Sequence, residues 1–251
     1  MSGLALRLIC IFSALSYYIA FGLYYKKQKI SSYVWCVAIA LNLAVIINNW
    51  VVNGYVPFVS MYQVLTFLAV TFAPTYLYMR YLRAGGFSKP YFMIAPAVVL
   101  TGVSCMDQTS VWTFPPALQS AYFVPHVLVY MISYSLTAVA FIMVIINFFK
   151  KSKEYEDGIY NIVILAYPFM IAGMLLGALW ANACWGNYWS WDNKENWSLM
   201  AVLALTVYLH FRRQKGLKKY ASYLIILAFV FVVITLLFVN MFGGNSLHTY
   251  S

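Results

Sequence analysis

The chain has 251 residues, 64% of them hydrophobic and only 9% charged, with a formal net charge of +10. A soluble domain of this length carries about a quarter charged residues, so the composition excludes one. It predicts an all-α, polytopic membrane protein, because lipid offers no partner to open backbone groups and long apolar runs must therefore be helices.

A spanning helix takes about 20 mostly apolar residues. Eight such segments are read in chain order: residues 4–25, 33–53, 60–81, 90–106, 126–149, 159–181, 197–211 and 220–242. The first has only Arg7 near its start and no small-residue cleavage site leading to a soluble domain. It is expected to be a retained helix and not a signal peptide. Asn48, Asn49, Asn53 and Gln63 fall where the second and third segments approach each other. They either line a route or satisfy local backbone and water. In the sixth segment, Gly173 and Gly177 have the spacing that permits close helix packing. Asp107 and the run Glu154, Glu156, Asp157 read as solvated loop charge.

The short loops set the orientation. One set of alternate loops holds Lys26, Lys27, Lys29, Arg80, Arg83, Lys89, Lys150, Lys151, Lys153, Arg212, Arg213, Lys215, Lys218 and Lys219, fourteen of the sixteen basic residues. Only Arg7 and Lys194 lie on the other side. Basic loops stay in the cytoplasm, so both termini are expected on the outer face. The net charge is thereby a topology signal, and nucleic-acid binding is excluded as its explanation. Cys10, Cys36, Cys105 and Cys184 form no C-x-x-C, so no thiol–disulfide or zinc site is indicated.

Between the sixth and seventh segments lies the densest feature of the chain. Residues 180–197 hold five tryptophans (Trp180, Trp185, Trp189, Trp191, Trp197), Tyr188, and the charged Asp192, Lys194 and Glu195. Each ring singly suits a membrane interface. The density, with charges among the rings, suits a flat apolar ligand with polar groups on its edge, as a porphyrin with its propionates is. Lys194 either pairs with Asp192 and Glu195 or meets such a propionate.

The chain has three histidines. His126 starts the fifth segment on the outer side, and His248 lies just past the outer end of the eighth. His210 follows Trp197 by thirteen residues, about 20 Å deeper at 1.5 Å per residue. Neutral imidazole is a good iron ligand, and two of them fill the axial positions of haem. His126 and His248 share a face with the tryptophans, which favours ligation. His210 is either a functional intramembrane group or a boundary residue beside Arg212 and Arg213.

The spacing W-G-x-x-W-x-W-D-x-K-E-x-W, from Trp185 to Trp197, resembles the tryptophan-rich signature of the WWD family of haem-handling membrane proteins in cytochrome c maturation. The pair Lys194-Glu195 and the later Tyr208-Leu209-His210 resemble its CcsA/ResC branch. Asn193 stands where that family often has proline. The resemblance implies one haem-handling membrane domain over residues 1–251, in a bacterial cytoplasmic membrane or its equivalent, with an external segment at about 180–198. It implies haem b as substrate, held by Trp185, Trp189, Trp191, Asp192 and Trp197, with His126 and His248 on the iron. His210 would be an earlier, inner ligand. It further implies a CcsB/ResB-type partner subunit and an apocytochrome c presenting C-x-x-C-H, the complex acting as a holocytochrome c synthase. The alternative is a CcmC-type exporter that passes haem on without forming thioethers. An electron-transfer cytochrome b would need paired histidines at matched depths, which three histidines at these positions do not supply.

Overall fold

A computed structural model describes residues 2–83, 90–108 and 113–238. Among them there are helices and turns and no strand, an all-α membrane fold. Eight α-helices follow one another: α1 Gly3–Tyr24, α2 Gln28–Asn53, α3 Met61–Arg83, α4 Tyr91–Ser104, α5 Phe123–Lys150, α6 Lys153–Trp185, α7 Asn193–Arg213 and α8 Ala221–Val233, the last continuing as a π-turn over Ile234–Phe238. Each expected span has its helix. Four of them, with the stretch Lys218–Leu237, are long and apolar enough to cross a bilayer: α1, α2, α5 and α6. The helix α4 is apolar but only 14 residues long.

The chain divides into two compact units, Met1–Leu118 and Gln119–Ser251. In the first, α1 packs on α2 and α4, and α3 packs on α2 and α4, so the four helices close into a bundle. Several of its interior serine and threonine hydroxyls are satisfied by helix carbonyls. Ser13 donates to Ala38 O at 2.8 Å and Ser31 to Ala20 O at 2.7 Å. On α3, Thr66, Thr71 and Thr75 each turn back onto a carbonyl of their own helix, the least costly use of a hydroxyl away from water. The amides near the α2–α3 connection serve local structure. Tyr62 donates to Asn49, Asn53 donates to Asn49 O at 2.8 Å, and the Gln63 carbonyl accepts from Val59 N at 3.0 Å.

In the second unit α5 packs along α6, α7 along α8, and the pairs α5–α8 and α6–α7 complete another four-helix bundle. Here α5, α6 and α7 overrun their expected ends. The helix α6 continues through Trp180 to Trp185, because nothing breaks it before Gly186, whose φ of 77° ends the helix as its N–H bonds Asn182 O. Glycine adopts that left-handed conformation without the Cβ penalty. The helix α7 starts at Asn193, because Asp192 caps it. The tryptophan-rich stretch is therefore not one segment. It is the last turns of α6, a loop over residues 186–192, and the first turn of α7.

At the other end of this helix pair, Arg212 bonds Glu156 at 2.9 Å and Asp157 at 2.8 Å, and Lys218 bonds Glu156 at 2.9 Å. Glu156 and Asp157 were expected as solvated loop charge; they instead tie the start of α6 to the end of α7.

Candidate functional site

His126 lies in the first turn of α5, where its ring meets α6. Its Nδ1 is 2.8 Å from the carbonyl oxygen of Gly173. Its ring stands edge-on to Tyr130 at 4.9 Å and lies over Trp180 at 5.6 Å with 34° between planes. Trp180 in turn meets Trp185 at 5.1 Å and Phe123 at 5.2 Å. A run of rings thus leads from His126 through Trp180 to Trp185, the last residue before the loop. The histidine and the start of the tryptophan segment, far apart in sequence, belong to one aromatic cluster.

The loop itself is held by the first turn of α7. The Asp192 carboxylate accepts from Glu195 N at 2.8 Å, and the Glu195 carboxylate accepts from Asp192 N at 3.2 Å, a reciprocal capping box. The same Glu195 oxygen accepts from Ser190 N at 2.8 Å, and Asn196 donates to Trp191 O at 2.8 Å. Trp191 is bracketed by these bonds in a left-handed backbone, φ 60°, and the residue is 68% exposed. A bulky residue at positive φ is a strained position. The surrounding hydrogen bonds hold it there and turn the indole outward. Trp189 meets Trp191 edge-on at 5.9 Å, and its indole N–H is buried with no hydrogen-bond partner.

Lys194 is half-buried in the first turn of α7. Burial pushes its ammonium down to about 7, with the Asp192 carboxylate opposing the shift. Desolvation therefore outweighs the nearby acid, and this group changes charge near neutral pH.

The expected site residues are only partly brought together. His126 joins Trp185 through Trp180, and Trp189 and Trp191 share the loop. Asp192 acts on backbone as the helix cap. Trp197 turns to α8 and packs on Phe231 at 5.5 Å. His210 sits exposed in the last turn of α7. The unbroken helix keeps it about 20 Å from Trp197. His248 lies outside the described residues. Among the described residues no three His, Cys, Asp or Glu side chains group as a metal site, and no disulfide joins the cysteines. The residues not anticipated are Gly173 and Gly177 against His126, and Glu195 and Asn196 around Trp191. The D-x-x-E spacing of Asp192 and Glu195 is the local signal for the latter pair.

Comparison with known proteins gives a consistent picture. The family model described as cytochrome c assembly protein matches residues 4–246. The chain is 32% identical over 234 residues to the cytochrome c biogenesis protein CcsA of Chlamydomonas reinhardtii, a match spanning 84% of this chain and 65% of that protein. It is 30% identical over 287 residues to the CcsA of Guillardia theta, spanning 97% of this chain and 93% of the relative. Among solved structures, the cytochrome c haem lyase CcmF shares the fold, with a TM-score of 0.72 at 15% identity. That likeness spans 94% of this chain and 47% of the lyase.

Proposed function

The chain belongs to the cytochrome c assembly protein family, and from that premise we propose that it binds haem on the outer face of a membrane and presents it for covalent attachment to apocytochrome c. The observation that carries this reading is the contact of His126 with Trp180, and of Trp180 with Trp185, at the root of the tryptophan loop. An imidazole ligand and a flat aromatic surface lie in one cluster, as a porphyrin and its iron require.

The residues fit the substrate in three respects. The Gly173 carbonyl can only accept, so Nδ1 of His126 carries the proton and Nε2 the lone pair. The exposed face of Trp191 offers a stacking surface. The buried, orphaned indole N–H of half-buried Trp189 is a donor that a propionate oxygen would satisfy. The second axial ligand in this reading is His248. His210, at the far end of α7, is an earlier stop, shared with a CcsB/ResB-type subunit.

The chemistry at the outer site is then addition. Each thiol of a C-x-x-C-H segment adds sulfur to one vinyl carbon and hydrogen to its neighbour, with no net oxidation or reduction. The protein supplies orientation, which alone accounts for a large part of many rate enhancements. Coexpression of the chain and a CcsB-type subunit in cells lacking other maturation systems is expected to yield holocytochrome c with covalently bound haem. Haem reaching the outer face without any thioether product would overturn the reading in favour of a CcmC-type exporter.

A further inference from the structure

Two glycines of α6 lie directly against two rings of α5. A Cβ placed on Gly177 would stand 2.6 Å from Cε1 and 2.8 Å from Nδ1 of His126. A Cβ placed on Gly173 would stand 2.8–3.0 Å from the ring carbons of Tyr130. His126 and Tyr130 are one turn apart on α5, as Gly173 and Gly177 are on α6. The antiparallel helices therefore set ring against glycine twice in succession. Further along, Ser133 donates to Ala166 O at 2.9 Å, which fixes the same register.

Close packing of two helices explains small residues at such a seam, but it does not explain the hydrogen bond. The Gly173 carbonyl has a second lone pair beyond its helical one, and the His126 Nδ1–H takes it at 2.8 Å. The imidazole reaches that oxygen only because Gly177, one turn away, has no side chain in the path. We propose that Gly173 and Gly177 are positioning residues for His126. Gly177 supplies the space in which the ring lies, and the Gly173 carbonyl fixes its tautomer and orientation, so that Nε2 is the ligating atom. The inference rests on His126 being an axial ligand. A hydrogen bond from the distal ring nitrogen to a carbonyl is how ligating histidines are commonly oriented and made more basic. Tyr130 stands edge-on to the imidazole at 4.9 Å.

The test uses the full chain purified in detergent with its partner subunit and loaded with iron protoporphyrin. The low-spin bis-imidazole spectrum per protein is read in wild type, His126→Gly, Gly177→Ala and the double variant, each with and without added imidazole. The expected result is that Gly177→Ala and His126→Gly each lower the outer-site share of the low-spin signal about tenfold or more, measured over the signal that His210 leaves at the inner site. Imidazole should restore the double variant as well as it restores His126→Gly, because an untethered ring shifts by the few tenths of an ångström that the new methyl requires. Thermal midpoints of the haem-free proteins monitor folding, and the rescued double variant shows directly that the fold tolerates a methyl group at this position of α6. A wild-type spectrum in Gly177→Ala alongside loss in His126→Gly would overturn the positioning role alone. A double variant that imidazole does not restore would also overturn it, leaving Gly177 as a packing residue. An undiminished spectrum in His126→Gly would overturn the ligand assignment and this inference with it.

Discussion

Replacing Glu195 should disable Trp191 without touching it. Glu195 is 8% exposed, and one of its carboxylate oxygens accepts from Ser190 N at 2.8 Å and from Asp192 N at 3.2 Å. Hydrogen bonds to a charged acceptor contribute about 1.5–3 kcal/mol each. The longer of these two falls at or below the low end, so the pair holds the loop by about 3 kcal/mol. Against that stands the left-handed backbone of Trp191, which costs roughly 1–2 kcal/mol in a residue with a Cβ. In wild type the clamp exceeds the strain. In Glu195→Ala the bonds to Ser190 N and Asp192 N are gone and only Asn196 on Trp191 O and the Asp192 cap on the residue-195 backbone remain, so the loop relaxes and the indole leaves its outward pose. The loss of about 3 kcal/mol corresponds to roughly a hundredfold in the clamped population.

Glu195→Gln keeps an acceptor oxygen but not the charge. Neutral bonds contribute about 1 kcal/mol each, which brings clamp and strain near balance and predicts an intermediate phenotype. The assay is haem retained per purified complex after a fixed wash, measured for Trp191→Ala, Glu195→Ala, Glu195→Gln and the double alanine variant. If Glu195 acts through Trp191, the double variant should retain as much haem as Trp191→Ala alone. Contacts that work as one unit are non-additive. A double variant whose loss is the product of the two single losses would refute the reasoning and give Glu195 a separate role.

Lys194→Met should raise the thermal midpoint at pH 6, with the gain fading as pH rises towards 10. A lysine whose folded pKa is lowered to about 7 binds fewer protons folded than unfolded between that value and its ordinary one near 10.4, so wild-type stability rises with pH across this window. A gain independent of pH would contradict the buried ammonium. His210→Ala should give a complex poor in haem if haem reaches the outer site through it, and a full haem complement would make His210 a boundary residue. Reporter fusions after Lys153 and Lys215 should behave as cytoplasmic and fusions near Asn187 and Ser251 as external; an external signal after Lys153 would refute the orientation drawn from the basic loops.

What could be read in the sequence follows from range. The helices were legible because apolar length is a property of each segment alone. Their ends were less so. The helix α6 was expected to stop at residue 181, but a tryptophan-rich run does not end a helix, and Gly186 does. The roles of Asp192 and Glu195 were locally legible as a capping box, yet beside so many rings they were read as the charged edge of a ligand site. The pairing of His126 with Gly173 and Gly177 had no local trace. It depends on the register of α5 against α6, and Gly-x-x-x-Gly predicts close approach without naming what approaches. The pairing of Arg212 with Glu156 and Asp157 was hidden for the same reason, since the partners lie 55 and 56 residues apart.

These long-range contacts bear on how a haem could pass between the two ends of α7. At one end only the short loop over residues 186–192, pinned to the first turn of α7 by Glu195, connects α7 to α6. At the other, Arg212, Glu156, Asp157 and Lys218 tie the same two helices again. Exposed ion pairs contribute little one by one, but Arg212 is 13% exposed and engages two acids at once. With a short loop at one end and the ion network at the other, sliding α7 along α6 would strain the loop and break the ion network together. His126 is itself joined to α6 through Gly173, so it stays with that pair. In the proposed route, therefore, His126 and His210 hold their depths and the haem moves between them. Breaking only the ion network, with Arg212→Gln, should lower the thermal midpoint modestly and leave the His126 low-spin signature intact. Loss of that signature in Arg212→Gln would mean that the two ends are coupled and that helix movement is part of the transfer.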